Sequence, residues 1–388
     1  AVRAGCATPA VAPAPCRLDR LGFGRVGCLI GVWPNMEVRR LLLLTSLGGV
    51  LKPSPTHPRV VDLRIYPVKS CGGISLSSSR MAPTGLEWDR IFAVVDRAGR
   101  IQTQRQKRRL ATIRPKIDSS LGTMTLEAPG MDALLLPLHG VAANGCTRAK
   151  VQKGGGTPVA DMPVWQYPAA ATQWLTSYLR GAPGLRLRDG ADVPPLEDEL
   201  FHLVRFDESA GFTRRVMDNL GGDNALPEDQ VAFPDLYPLL LTTTESLGEV
   251  NQRTPGLEVT MDRFRPNIVV SGAAQAFDED KWAVVEIGTG GSALTLRCLE
   301  GDPRCQVPSI DQRTGEKNSF FEPTTTLRRF RQRPDPRAGI LARAGPMFGI
   351  YATHGGQPGE LQVGDSVRVV ERSNLPSLHE YWTKKRKA

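Results

Sequence analysis

The chain of 388 residues lacks most of the signatures that reveal a function quickly. It has five histidines (His57, His139, His202, His354 and His379), and nothing in their spacing supports a histidine-based acid, base or metal site. Its seven cysteines (Cys6, Cys16, Cys28, Cys71, Cys146, Cys298 and Cys305) are odd in number and contain no Cys-x-x-Cys pair. Diluted over so long a chain, they are not a disulfide framework and read as thiols of a reducing compartment. Zinc is disfavoured, because the nearest pair, Cys298 and Cys305, has neither a second pair nor a neighbouring histidine to complete a tetrahedral shell. There is no GxGxxG after a strand and no GxxxxGK, HExxH or GxSxG, so dinucleotide, P-loop, zincin and serine-hydrolase readings fall away. The glycines Gly154 to Gly156 have no helix after them and read as a loop.

What the chain does have is ordinary globular composition, 40% apolar and 23% charged, with an excess of positive charge. The formal net charge of +9 and pI near 9.3 suit an anionic partner, whether nucleic acid, membrane surface, phosphorylated cofactor or acidic protein. No basic helix interleaved with aromatics, zinc-finger spacing or RNA-binding aromatic signature is present, so nucleic acid is not expected. Residues 1–59 carry eight basic residues against two acidic ones, Asp19 and Glu37, the composition of an organelle transit segment. Met36, ahead of EVRRLLLLTSLGGV, is an alternative start, since the chain begins with Ala. The run Leu41 to Leu51 is too short to span a bilayer and has the character of a signal or anchor segment. The closing TKKRKA reads as a solvated tail.

At about 100 to 200 residues per domain, the length favours two or three domains. From Val60 the pattern becomes strand-like. VVDLRIYP alternates Val61, Leu63 and Ile65 with Asp62, Arg64 and Tyr66, IFAVVD-RAG-RIQTQ reads as a hairpin, and MTLEA and ALLLPL continue the rhythm. Pro168 to Gly181 is a covering helix with Trp174, Leu175, Tyr178 and Leu179 on one face. After the Pro-rich, acidic VPPLEDE, a second strand-rich part runs from about His202 to Glu371 through LYPLLLTTT, RPNIVVSG, WAVVEIG, SALTLRCLE and VGDSVRVVE, with short helices at ESLGEVNQR and EPTTTLRRFR. The expected fold class is mainly β with α additions (α+β), built of barrels or sandwiches and not of a doubly wound sheet.

Five local clusters carry chemistry. In YPVKSCGG, Lys69 and Ser70 follow a strand beside two glycines that permit close backbone approach, against the plainer reading of a solvated lysine at a turn. In GLEWDR, Arg90 precedes a buried strand, where a salt bridge is an equally good account. Thr243 or Thr244 of LLLTTTESL caps a helix starting at Glu245, and a helix N-terminus is also a ready anion site. Arg265 and Asn267 of RFRPNIVV enter an apolar strand, which is costly unless something anionic meets the arginine. Cys305 stands directly after Arg304, and a guanidinium beside a thiol favours the thiolate, a ligand suited to soft or redox-active metals; a buried structural cysteine is the alternative.

Taken in order, YPVKSC, GLEWDR, TQR, FRPNI, RC followed by VPSIDQRTGE, EPTTTLRRFR, FGIY and VGDSV resemble the MOSC-domain proteins with an N-terminal MOSC β-barrel, and among them most closely the amidoxime-reducing components. The resemblance spans roughly residues 60 to 371. It implies an N-terminal extension (1–59), an N-terminal β-barrel domain (60–190), a MOSC β-barrel domain (205–371) and a basic tail (372–388). It also implies a molybdopterin-type molybdenum cofactor with Cys305 as the metal ligand and catalytic residue. Lys69, Ser70, Arg90, Thr243, Thr244, Arg265, Asn267, Arg304 and Tyr351 would hold the pterin and its phosphate. The clusters supply the groups such a cofactor needs, because a phosphate dianion is best met by arginine forks, a lysine and hydroxyl donors.

The implied activity is reduction of small N-hydroxylated compounds such as amidoximes and hydroxylamines, with nitrite reduced to nitric oxide by some members. Electrons come from NADH through cytochrome b5 reductase and cytochrome b5. Two local departures stand out: Pro303 occupies a position where related sequences often have a serine, and LEGDP lengthens the approach to Cys305. The competing expectation is a molybdenum cofactor carrier or sulfurase-like module, although the chain ahead of Val60 has no room for a pyridoxal-phosphate domain. A third is an anion-binding β protein with an inert Cys305.

Overall fold

The computed structural model describes residues 57–151, 162–180, 199–210, 216, 226–332 and 345–373. The expected transit segment, its alternative start, the triglycine loop, most of VPPLEDE and nearly all of the basic tail lie outside them. The strands in chain order are β1 (Arg59–Ile65), β2 (Ile74–Leu76), β3 (Ser78–Ala82), β4 (Gly85–Leu86), β5 (Phe92–Asp96), β6 (Arg114–Asp118), β7 (Thr123–Glu127), β8 (Leu134–Pro137), β9 (Thr147–Val151), β10 (Met162–Gln166) and β11 (Phe201–Phe206). They continue as β12 (Leu239–Thr243), β13 (Ile268–Ser271), β14 (Trp282–Ile287), β15 (Leu294–Pro303), β16 (Met347–Thr353), β17 (Glu360–Gln362) and β18 (Val367–Arg372). The described α-helices are α1 (Ala169–Leu179), α2 (Thr244–Arg253) and α3 (Thr324–Arg331). The fold is mainly β with α additions. Among the described residues no helix is long and apolar enough to cross a membrane.

An eight-stranded sheet runs β18-β14-β15-β16-β12-β13-β1-β2, and a four-stranded sheet runs β5-β11-β10-β9. Most pairings are antiparallel; β12 and β13 are parallel and joined through α2, the crossover that parallel neighbours require. The strand at Arg59–Ile65 does not follow the plain alternation of its sequence. Its register slips between Val60 and Asp62, and this bulge turns Val60, Leu63 and Ile65 inward where the pattern suggested Val61. The expected hairpin after IFAVVD is likewise reduced to one bridge, Val95 with Ile101. The main partner of β5 is β11, about a hundred residues on.

The two strand-rich segments are threaded through one another. β11, beyond residue 190, completes the sheet of β5, β10 and β9, while β1 and β2 at the start of the described chain edge the large sheet. One core gathers Phe92, Val94, Val164, Leu175 and Leu203 beneath α1; a second gathers Leu63, Leu241, Ile268, Val285, Leu296 and Ile350. Trp88 packs against both. A third cluster under α2 and α3 stacks Phe264 on Phe348, ring centroids 3.8 Å apart. These cores fix the strand ends and loops that meet at one cavity.

Candidate functional site

That cavity has a volume of about 450 Å³, within the range of small-molecule sites. It is lined by Lys69, Ser70, Arg90, Arg265, Asn267, Arg304, Cys305 and Tyr351, eight residues from segments up to about 280 positions apart. Ser70, Arg90 and Arg265 all have left-handed backbone, at φ 70, 50 and 58. Non-glycine residues hold such conformations only where their surroundings enforce them, and they gather at binding sites.

The cationic wall is built by mutual support. Arg90 donates through Nη1 to Asp89 at 2.5 Å and to Asn267 Oδ1 at 3.1 Å, and through Nη2 to the Arg265 carbonyl at 2.9 Å. Asn267 is thereby spent on architecture: its Oδ1 also accepts from Leu240 N, and its Nδ2 donates to the Arg64 carbonyl. Arg265 donates through Nη1 to the Cys71 carbonyl at 2.6 Å, while its Nη2 is buried without a hydrogen-bond partner. Burial lowers the Arg265 pKa to about 10, so the group stays cationic at neutral pH. Buried Lys69 donates to Asp235 Oδ1 at 2.6 Å and to the Phe233 carbonyl at 2.7 Å.

Cys305 lies two residues beyond the end of β15 and is half-buried at the cavity wall, its Sγ accepting from Val307 N at 3.4 Å. Arg304 beside it is turned to protein groups: Nη1 donates to Asp302, and Nη2 donates to the Phe264 carbonyl at 2.7 Å. Tyr351, on β16, donates to the other oxygen of Asp302 at 2.7 Å, and burial raises its pKa. Within LEGDP the β15–β16 ladder shifts register between Cys298 and Gly301 and between Gly301 and Pro303.

Thr243 and Thr244 do not join this group. The strand Leu239–Thr243 meets the cavity near its beginning, at Leu240, and Thr243 stands at its other end. There Thr243 Oγ1 caps α2 by accepting from Ser246 N at 3.2 Å and donates to Glu279 at 3.0 Å. Thr243 therefore caps the helix away from the cavity, and Thr244, the first residue of α2, does not line the cavity either.

Among the lining residues that were not anticipated are Asp235 and Tyr237 from the loop before β12, Asp302, and Arg105 of the TQR motif. Tyr237 packs against Tyr351 in a tilted pair with ring centroids 4.8 Å apart. Acidic and aromatic residues in a Pro-rich loop have no period or spacing to mark them. The only signal was position, PDLYP lying directly ahead of an apolar strand. Chemically, the cavity gathers a thiol, five cationic side chains (Lys69, Arg90, Arg105, Arg265 and Arg304) and two carboxylates (Asp235 and Asp302), a net positive lining suited to an anionic ligand carrying a thiophilic centre. Among the described residues no group of three or more His, Cys, Asp or Glu side chains is arranged to hold a metal ion.

Residues 57–182 match the MOSC N-terminal beta barrel domain and residues 228–368 match the MOSC domain. Mitochondrial amidoxime reducing component 2 of Rattus norvegicus is 30% identical over 89% of this chain and 90% of its own length. Mitochondrial amidoxime-reducing component 1 of Homo sapiens is 31% identical over 86% of each chain. Molybdenum cofactor sulfurase of Bos taurus is 26% identical over 81% of this chain, which spans only 33% of that protein.

Proposed function

Because the chain belongs to the family of MOSC-domain proteins with an N-terminal MOSC β-barrel that includes the amidoxime reducing components, we propose that it is a molybdenum-cofactor-dependent reductase of N-hydroxylated compounds. The observation that carries this reading is the meeting of Cys305 with Lys69, Arg90 and Arg265 around one cavity. The donor set fits the cofactor. A pterin phosphate is a dianion, and the buried, unpartnered Nη2 of Arg265 is a donor kept for a group outside the protein.

When bound, the cofactor supplies the two-electron reduction chemistry. Cys305 Sγ would complete the metal shell; Lys69, Ser70, Arg90 and Arg265 would hold the pterin and its phosphate. Asn267 acts one step back by fixing Arg90, and Tyr351 and Arg304 frame the wall beside the thiol. In the overall reaction the substrate N–O bond breaks, two electrons and two protons are taken up, and oxygen leaves as water. Arg105, Lys69 and Arg90 keep the cavity positive, which supports binding of anionic groups and, beyond the site, docking of an acidic donor such as cytochrome b5 served by its NADH-dependent reductase. The relatives' names and the arginine-rich residues 1–59 support a mitochondrial location.

Purified, molybdenum-loaded protein with benzamidoxime, NADH, cytochrome b5 and its reductase is expected to form benzamidine, with nitrite as a second substrate to try. Full loading without turnover would instead favour a cofactor carrier or sulfurase-like module.

A further inference from the structure

On the reading that this cavity holds the molybdenum cofactor, we propose that Asp302 is the positioning residue of the site: one carboxylate sets both Arg304, the residue before Cys305, and Tyr351 on the neighbouring strand. Asp302 is 6% exposed and lines the cavity. It lies on the inward face of β15, where the same alternation places Leu294 and Leu296 earlier in the strand. A carboxylate at such a position is costly unless paired, and a buried ion pair adds little net stability, so its presence points to a role in geometry.

The pairing is complete. Oδ1 accepts from the Tyr351 hydroxyl at 2.7 Å and Oδ2 accepts from Arg304 Nη1. Arg304 is also fixed through its main chain, its N–H donating to the Pro346 carbonyl at 2.8 Å. A Cβ at Gly345 would fall 1.6 Å from the Arg304 carbonyl oxygen, so the chain is closed around this residue from that side as well. Pro303 has no N–H to offer, which removes one backbone restraint from the approach to Cys305, so the Arg304 guanidinium is oriented by Asp302 at Nη1 and by the Phe264 carbonyl at Nη2, 2.7 Å away. Arg304 is thus held through its main chain by Pro346 and through its guanidinium by Asp302, while the Cys305 carbonyl accepts from Thr324 Oγ1 at 3.3 Å.

The test uses Asp302→Ala, Asp302→Asn and Tyr351→Phe in the full chain. In cofactor-free protein with labelled arginine, the Arg304 guanidinium gives resolved, slowly rotating Nη signals in 15N NMR, and Asp302→Asn collapses them. Unchanged signals would overturn the clamp whether or not any cofactor binds. In loaded protein, Asp302→Ala is expected to shift the Mo(V) electron paramagnetic resonance signal and to release molybdenum at least about tenfold faster, as loss of orienting partners around a metal does. Asp302→Asn falls between, and adding Tyr351→Phe to Asp302→Ala changes nothing further. Wild-type spectra and release rates in Asp302→Ala would overturn the proposal. If Asp302→Ala does not fold, Asp302→Asn decides by the same readouts. A wild-type protein that takes up no molybdenum while the NMR clamp is present would sink the cofactor reading and leave the clamp standing.

Discussion

Arg90 donates from Nη2 to the Arg265 carbonyl at 2.9 Å, and the two guanidinium groups lie over one ring, that of Tyr66, at 4.7 and 4.2 Å. Two like charges are held together by shared protein contacts, an arrangement that favours an incoming anion. Arg265→Ala is expected to lower pterin and molybdenum content about 10- to 100-fold, the loss of a charged hydrogen bond worth about 1.5–3 kcal/mol. Arg265→Lys recovers only part, since a lysine cannot bond the Cys71 carbonyl and keep a second donor in the same plane. Cofactor quantification on purified variants decides it; equal content in Arg265→Ala would remove Arg265 from the site.

Cys305→Ser keeps the size of the side chain and replaces a soft ligand by a hard one. Bound molybdenum is expected to fall at least about tenfold while the thermal midpoint of cofactor-free protein stays within a few degrees. Elemental analysis and calorimetry on one preparation separate these. Undiminished molybdenum in the serine variant would show that the metal is held elsewhere.

Thr243→Ala removes the α2 cap and the hydroxyl that donates to Glu279. A stability loss of about 1–2 kcal/mol in urea unfolding is expected, with cofactor content unchanged. A matching loss of cofactor would return Thr243 to the binding site.

Glu279 is fully buried against Thr243 and Ser246, and burial, reinforced by neighbouring Asp280, raises its pKa from 4.5 to about 7. The folded protein therefore holds this proton more tightly than the unfolded chain. Its contribution is full below pH 4.5 and is lost as pH rises to about 7, a change of about 3 kcal/mol at 1.36 kcal/mol per pH unit. Glu279→Gln should flatten stability across that window. An unchanged pH profile in Glu279→Gln unfolding experiments would assign the dependence to other groups.

The residues legible in the sequence were those whose chemistry is conspicuous at a strand end: Lys69, Arg90, Arg265 and Cys305. Lys69, Arg90 and Cys305 each had a plainer reading as well, a turn lysine, a salt bridge or a buried structural cysteine, and it is the fold's bringing all four to one cavity that sets them apart. Thr243 looked equally conspicuous, but a capping hydroxyl and an anion-binding hydroxyl have the same local sequence, and only the position of Leu240 at the cavity separates them. Asp302 was hidden because one of its partners, Tyr351, is 49 positions away on the neighbouring strand. The β5–β11 pairing was hidden for the same reason: periodicity reports which face is buried and carries nothing about a partner a hundred residues on.

The strand Arg59–Ile65 pairs with Ile268–Ser271, the segment that follows directly on Arg265 and Asn267. During synthesis the first half of the site must therefore wait for some two hundred further residues before its sheet partner exists, the kind of distant closure that slows folding. Severing the chain between the two matched domains would leave each fragment with a sheet edge belonging to the other. The cationic lining of the cavity therefore comes together only in a chain where these two segments, some two hundred residues apart, have already paired.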